Sequence, residues 1–159
     1  MLAVKKQIVL ANNIYKLLCE FVNKKGWSFI NDDENLSISF SAFGNDLKME
    51  FCVFVDYERE LVRLYSPMEY KISESKLFEG AIMTCIANFE ILDGSFDYDV
   101  SDGSVVFRMT ASYDDNLLGD DMFDYIISYS MTCVDRYNDI FLAIDKGYMT
   151  VYDFLTRNK

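Results

Sequence analysis

Most protein chemistry begins from a few versatile side chains, and this chain lacks the most versatile of them, since it contains no histidine. That removes the commonest general base, the histidine-dependent serine and cysteine triads and most zinc sites in one step. No glycine-rich phosphate loop is present. Four cysteines, Cys19, Cys52, Cys85 and Cys133, stand singly among apolar neighbours without the CxxC spacing of zinc or redox sites, and read as buried free thiols. Lys76, near the start of a predicted helix, reads as a solvated lysine.

Two groups of acids come closer to a site. Asp97-x-Asp99-x-x-Asp102-Gly103 approaches a calcium loop, but its third acid and its glycine come one position late and Arg108 stands where a bidentate Glu belongs. A hairpin with an acidic wet face accounts for it better. Asp114, Asp115, Asp120 and Asp121 could gather a hard cation, yet acids at a helix start already serve as caps and complement the dipole. Capping is the preferred reading. The alternative is a ligand- or cation-responsive signalling regulator that uses the acidic loop 114–121.

One constellation points to binding in place of reaction. Tyr125, Tyr129, Thr132 and Arg136 step along one face of a long predicted helix, beside its apolar stripe. Tyrosine and arginine are enriched at protein interfaces, where a large rigid body carries a polar tip. The face is either a partner or dimer interface or a margin of the core capped by the sheet edge. No catalytic residue, cofactor site or metal ligand is assigned, and the chain does not read as an enzyme.

The elements that must position these residues follow from periodicity. Ile14, Leu17, Leu18, Phe21 and Val22 predict an amphipathic helix over about 4–25, closed by Gly26. Trp27 to Ile30 predicts a short edge strand, and Asn31 to Asn35 a turn. Leu36, Ile38, Phe40 and Ala42 alternate with three serines, which predicts a strand with one wet face. After Gly44, the run Leu47 to Val55 predicts a central strand; Cys52 and Phe54 on its second face suggest cover on both sides toward its end. A strand over Leu61 to Tyr65 should end at Pro67, and Ser73 should cap a second helix with Leu77, Phe78, Ala81, Ile82, Cys85, Ile86 and Phe89 inside.

Phe96, Tyr98 and Val100, then Val105, Phe107, Met109 and Ala111, predict a hairpin turning at Ser101-Asp102-Gly103. A long helix follows, its stripe running from Phe123 through Ile126, Ile127, Met131, Val134, Tyr137, Ile140 and Phe141 to Ile144, stopped by Gly147. Thr150 predicts a last short helix. The order α-β-β-β-α-β-β-α gives an α+β fold, an antiparallel sheet of five to six strands packed by helices.

The chain's 159 residues, 51% hydrophobic, suit one domain over 1–159, with a core about 4–147 and a tail 148–159. No apolar run reaches the roughly 18 residues of a membrane span, and Ile8 to Ala11 is too short for a signal core, so the expected location is cytoplasmic. With 26 acids against 15 bases the formal charge is -11, a field that repels nucleic-acid phosphates and anionic lipid. That charge also serves solubility alone.

Asn88-Phe89, Gly94-Ser95-Phe96, Asp102-Gly103, Val105-x-Phe107-Arg108 and Val134-Asp135-Arg136-Tyr137 resemble the YbjN-type family of proposed bacterial sensory-transduction regulators, over about Gly26 to Gly147. The resemblance implies a fold similar to type III secretion chaperones, and a homodimer or partner-binding protein whose partner it does not identify. Tyr148 to Lys159 departs from the small, polar start expected after the long helix.

Overall fold

The computed structural model describes residues 2–44, 47–113 and 118–157. In chain order they form α1 (Leu2–Lys24), β1 (Ile30–Asp32), β2 (Ser37–Phe43), β3 (Lys48–Asp56), β4 (Leu61–Lys71), a 3-10 turn (Glu74–Lys76), α2 (Leu77–Glu90), β5 (Ser95–Asp99), β6 (Ser104–Ser112), α3 (Asp120–Asp145) and α4 (Val151–Thr156). The six strands make one antiparallel sheet in the order β1-β2-β3-β4-β6-β5. α1 packs on β3, and α3 runs across β3, β4 and β6. The expected α+β architecture is the observed one.

The strands are built by alternation. Along β3, Met49, Phe51, Val53 and Val55 are buried while Glu50, Cys52, Phe54 and Asp56 are half-exposed, so one face meets the helices and the other faces out. This corrects the expectation that β3 is covered on both faces. Apolar residues stand on the outer face because they shield one another: Phe54 and Tyr65 stack at 5.6 Å, and the Arg63 guanidinium lies 5.1 Å and 5.3 Å from their rings.

The strand expected to stop before Pro67 runs on to Lys71. Its ladder with β3 ends at Cys52↔Tyr65, whereas its ladder with β6 continues through Pro67↔Val106 to Lys71↔Ser104, with an irregularity between Pro67 and Lys71. Proline forfeits only a donor, and it sits where β4 has just lost one of its two neighbours. The edge strand expected at 27–30 lies at Ile30–Asp32 instead; Trp27 turns inward to stack on Phe40 at 5.7 Å.

α3 carries the core. Phe123, Ile126, Ile127, Val134, Tyr137, Phe141 and Ile144 are buried as their spacing predicts, with Met131 and Ile140 of the same stripe only half-buried, and Phe96 meets Phe107, Tyr137 and Phe141 edge-on at 5.0–5.5 Å. The tail helix α4 forms as expected: the Thr150 hydroxyl accepts from the Asp153 amide at 3.1 Å, and the Asp153 carboxylate accepts from the Thr150 amide at 2.9 Å. It buries Phe154 against Tyr137. No helix among the described residues is long and apolar enough to cross a membrane.

Candidate functional site

The site begins with the side chains that hold α2 down. Tyr98 of β5 donates its hydroxyl to the Leu77 carbonyl at 2.9 Å, fixing the start of the helix. Near its end, Asn88 answers both backbone groups of Phe96: the Phe96 amide donates to Asn88 Oδ1 at 2.7 Å, and Asn88 Nδ2 donates to the Phe96 carbonyl at 3.1 Å. Pinned at two points, α2 cannot roll. The Ser73 side chain makes no cap bond; a 3-10 turn leads in, and the Ser73 amide donates to Asp145 at 2.7 Å.

This anchoring turns the helix the opposite way from the sequence expectation. Its buried residues are Gly80, Met83, Thr84 and Ala87. Three of the four are small, so the backbone lies close to β5, and a Cβ at Gly80 would collide with the Tyr98 ring and hydroxyl. The large residues expected inside stand outside: Phe78 is 82% exposed, Ile82 48% and Phe89 92%, while Ala81 and Cys85 are exposed between them and Leu77 and Ile86 are only half-buried. Leu92, just beyond, is 89% exposed. Cys85 is therefore not the buried thiol expected; Cys133 is buried, which pushes its thiol up, and Cys19 and Cys52 are half-buried.

Of the four residues predicted as an interface, two meet this surface. Tyr125 and Tyr129 stack at 5.6 Å; the Tyr129 hydroxyl accepts from the Leu92 amide at 2.8 Å, and the Tyr125 hydroxyl donates to Asp93. The bond to Asp93 pushes the Tyr125 hydroxyl up to about 12. Together they clamp the segment 91–94 that leads out of α2. Thr132 donates to the Ser128 carbonyl at 2.9 Å, and the Arg136 guanidinium lies 5.3 Å from the Tyr137 ring; both are exposed one and two turns further along α3. The sequence pattern marked this flank but missed the α2 stripe itself. The signal was present as two interleaved sets, small residues at 80, 84 and 87 and large ones at 78, 82 and 89.

The acids are engaged separately. Asp97 accepts from Arg108 Nε at 2.6 Å, which holds its carboxyl below the ordinary value; Asp99 accepts from the Ser101 amide at 2.8 Å, and Asp102 from the Ser104 amide at 2.9 Å and from Lys71. Asp114 and Asp115 lie outside the described residues, and Asp120 pairs with Lys24 at 2.9 Å. Lys76 pairs with Glu79 at 2.9 Å. Among the described residues, no three His, Cys, Asp or Glu side chains gather to hold a metal. What the arrangement offers is an apolar helix face set in an acidic surface.

No protein-family model matches the sequence, and no curated protein does. Solved structures do match in fold. YbjN from E. coli, whose description is that of a candidate transcription regulator, superposes with a TM-score of 0.54 at 12% identity, over 79% of this chain and 91% of that one. A chain of the ExsC–ExsE complex gives 0.60 at 16% identity, over 83% and 96%. A chain of the HopA1–SchA chaperone–effector complex gives 0.50 at 18% identity, over 76% and 90%. The chain thus has the fold shared by YbjN and type III secretion chaperones, as the resemblance in its sequence implied.

Proposed function

We propose that this chain is a non-enzymatic, chaperone-like protein-binding module of the cytoplasm, which works as a homodimer and holds a partner polypeptide or regulatory protein. The observation that carries the reading is the outer face of α2. Two phenylalanines, an isoleucine and a leucine left in water on one short helix and its exit are costly to a monomer, at roughly 1.5–3 kcal/mol of unrealised burial for each large apolar side chain. A binding partner recovers that energy. The fold supports the same reading, because the ExsC–ExsE and HopA1–SchA structures are complexes, the second of a chaperone with its effector. Tyr125 and Tyr129 serve as the polar-tipped flank of this surface, and Thr132 and Arg136 extend it along α3.

The test uses the purified protein to retain polypeptides from lysate of its own source. The retained polypeptide is then produced separately and titrated calorimetrically. The expected result is a saturable complex that weakens about tenfold or more in a Tyr125→Ala/Arg136→Ala variant with an unchanged circular dichroism spectrum. If no polypeptide binds the purified protein, while calcium, magnesium or a nucleotide raises its melting temperature, the reading is overturned in favour of a ligand-responsive regulator.

A further inference from the structure

We infer that the groove where α2 meets α3 is a recognition site for a helical segment of a partner polypeptide carrying Phe-x-x-Arg, and that α4, with Phe154 and Arg157 at that spacing, is its resident and displaceable occupant. The inference rests on the protein-binding reading above and adds a contact point apart from the outer face of α2. The groove shows its chemistry by what it holds. Phe154 is fully buried, its ring 6.3 Å from that of Tyr137. One turn on, the Arg157 guanidinium lies 4.4 Å from the Phe154 ring and 5.8 Å from the Tyr137 ring, and its Nη2 donates to Glu90 Oε2 at 2.6 Å. The Tyr137 hydroxyl donates to the same oxygen at 2.9 Å. An aromatic socket with a carboxylate at its mouth thus takes a phenylalanine and a guanidinium three residues apart, which share one face of a helix. A lysine there would lose the planar stacking that the guanidinium makes on the two rings.

The occupant is lightly held. α4 has six residues, well under the roughly 12–15 that sustain a helix alone in water, so it keeps its shape only while docked. Phe154 is its one buried residue, while Tyr152 and Leu155 on the same short helix stand exposed. The capping box joins Thr150 to Asp153 within the α4 segment, so leaving the groove breaks neither of its bonds. The connection from α3 turns at Gly147, whose φ is +77° and where a Cβ would meet nothing. Charge then selects what replaces α4. With Arg157 withdrawn, the Glu90 carboxylate loses its cation at a place where its side chain is only 21% exposed, and the field of a chain of charge -11 draws an incoming guanidinium to it. A segment with Phe-x-x-Arg answers both the socket and the carboxylate; an acidic or wholly apolar segment answers the socket at most.

The probe is a fluorescein-labelled synthetic peptide of residues 148–157, titrated by fluorescence anisotropy into the full chain, both wild type and Phe154→Ala. It should bind the variant at least about tenfold more tightly than wild type, because the resident helix no longer competes. Phe154→Ala or Arg157→Ala within the peptide, or Glu90→Gln added to the variant chain, should weaken binding about tenfold. Circular dichroism confirms that the variants fold. If Phe154→Ala does not, wild type decides: excess peptide should speed amide exchange at Phe154, whose N–H donates to the Thr150 carbonyl at 3.1 Å, while the amides of α3 stay protected. A peptide that fails to bind, binds without regard to its arginine, or leaves the Phe154 amide as protected as those of α3 overturns the site. Each of those results leaves partner capture by the outer face of α2 standing, whereas a lysate that yields no partner overturns that reading and not the binding of the peptide.

Discussion

Position 80 decides which way α2 faces, and it does so by having no side chain. Its neighbours in the buried set, Thr84 and Ala87, are small too, and Thr84 turns its hydroxyl back to the Gly80 carbonyl at 2.9 Å, so the helix settles close over β5. Replacing Gly80 by Ala sets a methyl against Tyr98 and must either lift the helix or displace the ring, breaking the Tyr98–Leu77 bond. The expected cost is about 1–3 kcal/mol in urea unfolding, although alanine is the better helix former. A stability equal to or above wild type would contradict the close approach. Gly103 is needed for a different reason: its φ of +76° is left-handed, and a Cβ there would strike the Ile72 carbonyl at the hairpin turn. The turn was legible from Asp102-Gly103 alone, whereas the role of Gly80 depends on a tyrosine from another element.

Among the elements, α3 was the most legible and α2 the least. α3 has large apolar residues on one side and charges on the other, so size and polarity agree on the inner face. On α2 they disagree, because apolar residues surround the helix and only size separates the two stripes. The sequence rule that large apolar residues face inward failed there. The two helices are joined at their far ends by Asp145, whose side chain is 1% exposed and takes the Ser73 amide at 2.7 Å and Lys146 at 2.9 Å. Burial pushes this carboxyl up, but Lys146 and the Ser73 amide outweigh it and hold it below the ordinary carboxylate value. Asp145→Ala should cost about 2 kcal/mol, the worth of a hydrogen bond to a charged group. It should also speed amide exchange at Ser73 while leaving the β2–β3 ladder protected. Uniform exchange across the chain would show that the contact is not local.

For the molecule as a whole, ionisation bounds the stable range. Asp56, like Asp145, is held below the ordinary value: burial raises it, and the Arg59 amide with the Arg59 and Arg63 guanidinium groups lowers it further. A carboxyl of this kind binds fewer protons folded than unfolded, so its contribution is complete above about pH 4 and is lost as pH falls through the folded value. Tyrosines set the other limit. Burial pushes Tyr113 and Tyr137 up to about 12, with the bond to Glu90 adding to the shift at Tyr137. Their contribution is complete below about pH 10, the unfolded value, and is lost as pH rises towards 12. Melting temperatures should therefore be level from about pH 5 to 8 and fall on both sides, the alkaline fall beginning with the buried Cys133 thiol and steepening with the tyrosines. In Tyr137→Phe the alkaline fall should be shallower. A melting temperature still level at pH 11 would contradict the assignment.

By itself the sequence determined the α+β class, the hairpin, the register of α3 and the lack of histidine, because these follow from local periodicity, turn chemistry and composition. Only the tertiary structure decided that β4 runs past Pro67, that β3 is half-exposed on one face and that α2 shows its phenylalanines to water. Each of those depends on what lies alongside: a neighbouring strand that stops, aromatic rings and an arginine that shelter one another, and a tyrosine and an asparagine that pin a helix. Local patterns record how apolar a residue is, and contacts between elements far apart in the chain determine which apolar residues are covered.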